Sequence, residues 1–224
     1  MRSYGQYCAL ARALDVVGDR WTLLVVRELF ARDCRYSDLR EGLPGIATNL
    51  LADRLRHLEA AGLVESYDAP SPVRATMYRL TDRGRALGPV LRTLLVWGAP
   101  LAAEPQGDDE FRTHWLALGL PQLFAGADLA DLGDLTVLVR TGDEPALLQV
   151  RDGRVEMRSG PELASVAADV TVEGSPEAVY AVLTGRASSE ESARVSGKPA
   201  AVRRLRRLTA RTLRVLLEKN NRAL

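Results

Sequence analysis

Ser37-Asp38-Leu39-Arg40-Glu41-Gly42-Leu43-Pro44-Gly45-Ile46, running on through Ala47-Thr48-Asn49-Leu50-Leu51-Ala52-Asp53-Arg54-Leu55-Arg56-His57-Leu58-Glu59-Ala60-Ala61-Gly62, is the stretch that decides the fold. Ser37 suits an N-cap, so a short helix is expected over residues 38–41, closed by the tight turn Leu43-Pro44-Gly45. A second helix is expected over residues 47–61, stopping at Gly62. Helix, short glycine turn, helix predicts a helix-turn-helix. On a wheel of about 100° per residue, Leu50, Leu51, Leu55, Leu58 and Ala61 fall on one side and face a core. Asn49, Ala52, Asp53 and Arg56 fall opposite, with Thr48 and Glu59 on one flank.

Working outward, residues 6–17 and 20–30 carry apolar positions at helical spacing, separated by Gly18-Asp19. After Gly62 the pattern becomes strand-like over 63–67 and 76–80 around a proline-containing tip, which predicts a hairpin. Thr81-Asp82 then caps a helix over 83–97 whose apolar positions, Leu87, Val90, Leu91, Leu94, Leu95 and Trp97, exceed what one small domain buries. A matching helix from a second subunit would cover the excess.

A stretch rich in proline, glycine and acid over 100–110 reads as a linker. Beyond it the pattern predicts a helix over 111–124 and strands over 135–141, 146–151, 155–159 and 166–172. Asp152-Gly153 is a strong hairpin signal. Ser175 caps a helix over 176–184 with proline at its first position, a short strand begins near Val195, and a last helix, straight or bent, covers 199–217. The expected fold class is α+β: a winged helix-turn-helix domain for DNA binding and dimerisation in 1–100, a linker in 101–110, and an α+β domain with a mostly antiparallel sheet in 111–224.

The balance of 46% hydrophobic and 26% charged residues is that of a packed soluble protein. No signal peptide and no long uncharged apolar run is visible, so the expected location is the cytoplasm, with no membrane partner and with Cys8 and Cys34 as free thiols. Charge is segregated: 14 basic against 11 acidic residues in 1–100, 8 against 17 in 101–199, and 8 against 1 in 200–224. Phosphates would be repelled by the acidic middle, so nucleic-acid contact is expected from the first segment or the basic tail. His57 and His114 stand apart from any metal-ligand spacing, and neither a phosphate-binding glycine loop nor a nucleophile elbow is present. No enzyme activity, metal or cofactor is expected.

The side of the second helix that turns from its leucines is small, polar or basic near the helix start, the end that a helix-turn-helix inserts into the major groove. The DNA-binding candidates there are Thr48, Asn49, Ala52, Asp53, Arg56 and His57. Asparagine pairs with adenine and arginine with guanine in bidentate fashion, and either also holds phosphate. Asp53 opposes phosphate unless it accepts from cytosine or pairs with Arg56. Arg74 at the hairpin tip and Arg79 in its returning strand are candidates for the minor groove or backbone, with solvation as the ordinary alternative. Arg35 and Ser37 are candidates for phosphate, Ser37 equally for capping.

Cys8-Ala9-Leu10-Ala11-Arg12-Ala13-Leu14-Asp15-Val16-Val17-Gly18, Arg20-Trp21-Thr22-Leu23-Leu24, Tyr36-Ser37-Asp38-Leu39, Leu43-Pro44-Gly45-Ile46, Gly62-Leu63-Val64, Tyr78-Arg79-Leu80-Thr81 and Trp97-Gly98 resemble the HxlR branch of the MarR-type winged-helix regulators over residues 7–99. The resemblance implies a transcriptional regulator, a homodimer through terminal helices, and double-stranded DNA with two half-sites of a pseudo-palindromic operator as partner. Asp53 departs from the family, which commonly has a neutral or basic polar residue there. Some members sense oxidants or electrophiles through the cysteine matching Cys8, which would need a thiolate; simple packing is the alternative.

Asp169-Val170-Thr171-Val172-Glu173-Gly174, residues 176–186 and Val195-Ser196-Gly197 resemble the sterol-carrier-protein-like fold. That implies an effector-binding module, or a plain dimer surface; the apolar positions Val137, Val139, Leu147, Val150, Val179, Val182 and Leu183 are the candidate pocket for a small apolar ligand, with a filled core as the alternative. A competing reading makes the second half a lipid or small-molecule carrier, or a protein-interaction module, with the winged helix as a dimer scaffold. The tail arginines Arg203, Arg204, Arg206, Arg207, Arg211 and Arg214 would add phosphate affinity, brace the acidic middle domain, or stand solvated on a packed amphipathic helix.

Overall fold

The computed structural model describes residues 3–71, 74–99, 101, 109–124, 127–142, 144–186 and 193–220, with side chains as far as Thr212. Most of the expected linker, Pro72 and Val73 of the hairpin tip, Asp143, and the side chains of Leu213, Arg214, Val215 and Leu216 lie outside the described residues. The chain forms two compact units, Met1–Leu91 and Arg92–Leu224.

The first unit runs α1 (Ala9–Val17), α2 (Thr22–Ala31), β1 (Cys34–Arg35), α3 (Tyr36–Glu41), α4 (Thr48–Ala60), β2 (Val64–Asp68), β3 (Thr76–Leu80) and α5 (Asp82–Arg85), and α6 (Gly88–Gly98) begins in it. Its core gathers Val25, Val26 and Leu29 of α2, Leu39 of α3, Leu51, Leu55 and Leu58 of α4, and Val64 and Leu80 of the hairpin, all buried. A buried leucine is worth about 1.5–3 kcal/mol, so the leucine side of α4 is what seats it.

Gly62 ends α4. Its φ of 67° puts it in the left-handed region, and the Leu63 amide donates back to the Leu58 carbonyl while Gly62 donates to Glu59. This pairing satisfies the last helical carbonyls and turns the chain straight into β2. Gly84 serves differently: a Cβ there would stand 2.1 Å from the Leu63 carbonyl oxygen, so only glycine lets α5 close against the start of β2.

The sheet has the order β1-β3-β2, with Val64 opposite Leu80 and Asp68 opposite Thr76. The extra strand β1, antiparallel to β3 through Cys34 opposite Tyr78, was not expected. A two-residue strand carries no periodicity, so only tertiary pairing reveals it. The single helix expected over 83–97 is broken into α5 and α6. Pro89 has no N–H to donate to Arg85, so the ladder stops and restarts.

The second unit contains the rest of α6, then α7 (Thr113–Leu123), β4 (Leu135–Thr141), β5 (Glu144–Arg151), β6 (Arg154–Ser159), β7 (Val170–Glu173), α8 (Pro176–Leu183), β8 (Arg194–Gly197) and α9 (Pro199–Asn220), with 3-10 turns at Ala130–Leu132 and Pro161–Ser165. Its sheet order is β6-β5-β4-β7-β8, and only the β4 to β7 pairing is parallel. Asp152 and Gly153 both take positive φ, 48° and 69°, as a tight hairpin between right-twisted strands requires. The Ser175 hydroxyl accepts from the Ala178 amide at 3.3 Å and caps α8.

One sheet face and helices α7, α8 and α9 share a large core: Leu116 and Leu120, Val179, Val182 and Leu183, Leu205 and Leu208 meet Val137, Val139, Leu148, Val150 and Val172. The opposite face buries a small cluster, Leu138, Leu147 and Leu163. Among the described residues no helix is long and apolar enough to cross a membrane.

Candidate nucleic-acid interface

The outward side of α4 is where the candidate site is built. Thr48, Asn49, Asp53 and Arg56 are exposed, Ala52 is half-buried, and Leu51, Leu55 and Leu58 are buried behind them. The first turn is fixed from α3, because the Tyr36 hydroxyl donates to the Thr48 carbonyl at 2.6 Å. This tether was missed at the sequence level, where Tyr36 falls before the helix expected over 38–41 and carries no signal of a partner 12 residues away. The Asn49 carboxamide accepts from the Leu50 amide at 2.9 Å, within its own turn.

Arg56 and Asp53, one turn apart, form an ion pair on the solvent side, their side chains 74% and 56% exposed. Arg54 does something else. Its guanidinium pairs with Asp19 in the connection from α1 to α2.

His57 is a correction. Expected among the DNA contacts, it turns inward, and its Nε2 lies 3.0 Å from the Val16 carbonyl near the end of α1. The physical reason is its angle: it sits about 100° round the helix from Arg56, toward the edge occupied by Leu50 and Arg54. Together Arg54 and His57 pin this flank to the end of α1 and the connection that follows.

Ser37 is a second correction. It lies inside the first turn of α3, not at the cap; the cap is Arg35, whose amide donates to the Asp38 carboxylate at 2.8 Å. Asp38 therefore satisfies the helix start and brings negative charge to it, which weakens the case for phosphate at Ser37. Arg35 and Ser37 both remain exposed.

On the hairpin, Arg79 pairs with Glu65 directly across the strands at 2.6 Å and lies over the Tyr67 ring, 4.8 Å from its centroid. The Tyr67 hydroxyl in turn donates to Asp33 at 2.8 Å. Arg79 is thus held in place before any ligand arrives. Arg74, with a left-handed φ of 40°, is exposed at the tip, and its guanidinium has no partner among the described residues.

These placements form one polar surface on α4 beside an arginine-bearing hairpin, and the leading residues of α4 stay out of the packing. The chain belongs to the HxlR-like helix-turn-helix family. The family's pattern matches residues 16–105. Over 87 residues the chain is 37% identical to the helix-turn-helix-type transcriptional regulator YvaP of Bacillus subtilis, covering 38% of this chain and 80% of that protein. It is 38% identical over 99 residues to an uncharacterised regulator of the same type from Mycobacterium bovis, covering 44% of this chain and 62% of that one. The chain thus spans under two thirds of the length of that relative. A crystal structure of the reduced form of the transcriptional regulator YodB from B. subtilis is 30% identical over 42% of this chain and 92% of its own, with a TM-score of 0.38. Sequence likeness, not superposition, carries the HxlR-like membership, and it stops near residue 105.

Of the other candidates, Cys8 is exposed at the start of α1, where the Ala11 backbone amide, and then that of Leu10, hold its thiol below the ordinary value. Cys34 is buried, and burial pushes it up to about 11 against the smaller opposing pull of Arg32. The candidate pocket residues Val137, Val139, Val150, Val179, Val182 and Leu183 are all buried in the main core of the second unit. Leu147 is a correction: it pairs with Leu138 on the opposite face, so Leu148 takes the place expected for it. Strand parity decides this, since a one-residue offset reverses every side chain. Among the described residues no group of three or more His, Cys, Asp or Glu side chains is placed to hold a metal ion.

Proposed function

We propose that this chain is a sequence-specific DNA-binding transcriptional regulator that acts as a homodimer, with the outward side of α4 entering the major groove and Arg74 and Arg79 of the hairpin touching the adjacent backbone or minor groove. The observation that carries the reading is the set Thr48, Asn49, Asp53 and Arg56, exposed on a helix whose other sides are held by leucines, Arg54 and His57. Arg35 and Ser37 are carried as backbone contacts.

The homodimer is supported by exposed apolar stripes: Leu10 and Leu14 along α1 with Tyr7 just before it, and Val90, Leu94 and Trp97 along α6. Two copies would place two α4 helices on two half-sites of a pseudo-palindrome. Selection of bound sequences from a random DNA pool tests the reading. A two-fold symmetric motif, lost on Arg56→Glu in a folded protein, is the expected result; selection of nothing overturns it.

The second unit, which resembles the sterol-carrier-protein-like fold, is carried as an effector module for a small apolar ligand. Its candidate lining has essentially no exposure, so a ligand would have to select an opened conformation and bind it better than the closed one. Cys8 is carried as the thiol on which an oxidant or electrophile would act, its exposure and lowered pKa being the support.

A further inference from the structure

We propose that Asp53 and Arg56 read DNA as one unit, Asp53 orienting the Arg56 guanidinium onto a guanine while its own second carboxylate oxygen accepts from the exocyclic amino group of a neighbouring cytosine or adenine. This rests on the DNA-binding reading above and deepens it to base preference.

The geometry begins with helix direction. Side chains on a helix lean toward its N-terminus, so the Arg56 guanidinium lies over the turn of Asp53, nearer the end of α4 that enters a groove. Arg56 Nη2 donates to Asp53 Oδ1. A guanidinium has five N–H donors in a planar fork, so a face remains for the O6 and N7 acceptors of guanine. Oδ2 of Asp53 has no partner among the described residues, and Ala52 beside the pair adds no bulk to hold the helix off the bases. The nearest other arginine on the helix, Arg54, is committed to Asp19 and does not compete for Asp53.

Charge sets the consequence. A carboxylate on this surface opposes every phosphate equally and lowers affinity for DNA of any sequence. It is returned only where a base offers an amino donor in the major groove, which guanine and thymine do not. Asp53 therefore exchanges general affinity for discrimination.

The test uses the full chain. Sites are selected from a random duplex pool with the wild type and with Asp53→Ala, and affinities for the selected site and a scrambled duplex are compared at one salt concentration. For the wild type, a guanine flanked on its own strand by cytosine or adenine rather than guanine or thymine is expected. Asp53→Ala should lose the flanking preference, bind the scrambled duplex more tightly, and lower the specific to non-specific ratio about tenfold. In an Arg56→Lys background, which keeps the charge without the fork, Asp53→Ala should change the guanine preference no further. An unchanged motif and ratio in Asp53→Ala overturns the inference while leaving the regulator reading standing; a wild type that selects no sequence removes both. The pair is exposed, so the variant folds, and circular dichroism confirms it.

Discussion

Two helices of this protein carry rows of arginine, and they spend them differently. In α9 the arginines are answered from within the fold: Arg204 donates to the Asp134 carbonyl, Arg207 pairs with Asp131, and Arg211 reaches both the Asp128 carbonyl and Asp131 at 2.7 Å. In α4 the outward Arg56 meets, among the described residues, only Asp53 of its own helix, and Thr48 and Asn49 beside it stay exposed. Yet residues 200–224 have 8 basic residues against 1 acidic, a far stronger excess than the 14 against 11 of the first hundred. Local charge density is thus a poor guide to a nucleic-acid surface. What matters is whether the fold has already consumed the charge.

The contrast breaks most readily at Arg56. Arg56→Glu should lower affinity for the selected operator by about 100-fold or more, because a guanine contact is lost and a phosphate repulsion gained; Arg207→Glu in α9 should leave that affinity within a few fold of wild type. Fluorescence anisotropy at fixed salt measures both, and equal losses would erase the distinction. Next in size is the seating of α4. Leu55→Ala, at a fully enclosed position, should cost about 2–5 kcal/mol in urea denaturation. Trp97→Glu should turn a dimer into a monomer by light scattering with the first unit still folded, since Trp97 is exposed on the α6 stripe.

The acidic side of the α9 brace supplies a smaller, pH-dependent test. The Arg211 hydrogen bond, with Arg211 and Arg207 charge behind it, holds the Asp131 carboxyl below its ordinary value. A depressed folded pKa means the stabilisation is complete above the ordinary carboxylate value and lost as pH falls through the folded one. Asp131→Asn should therefore lower Tm slightly at neutral pH and converge with wild type in acid. The smallest effect is chemical: iodoacetamide at neutral pH should label Cys8 in the native protein and leave Cys34 until the chain is unfolded, as mass spectrometry would show.

Local chemistry was the legible part of the sequence. Ser175 caps α8, Thr81 accepts from the Gly84 amide at 3.1 Å, and Asp152-Gly153 makes its hairpin, because each signal is complete within a few residues. The failures needed a partner from elsewhere. Ser37 lost the cap because α3 starts one residue earlier, at Tyr36, where the Asp38 carboxylate accepts from the Arg35 amide. His57 found the Val16 carbonyl, 41 residues distant, and β1 exists only because β3 lies beside it. Leu147 is the exception: it lies an odd number of positions from Val150 in one strand, so alternation alone sets the two on opposite faces, and the expectation that both line one pocket failed on parity. On α4 itself the leucine periodicity separated inside from outside, and on the flank only His57, bonded to a carbonyl 41 residues away, was beyond it.

The grip on that flank has a consequence for change over generations. Because the Val16 carbonyl and Asp19 hold α4 through His57 and Arg54, while Tyr36 holds its first turn by the backbone oxygen of Thr48, the exposed side chains at 48 and 49 tie the helix to no other element among the described residues. Mutation can rewrite them at little cost to folding, so descendants of this chain are free to drift toward new operators on an unaltered mount.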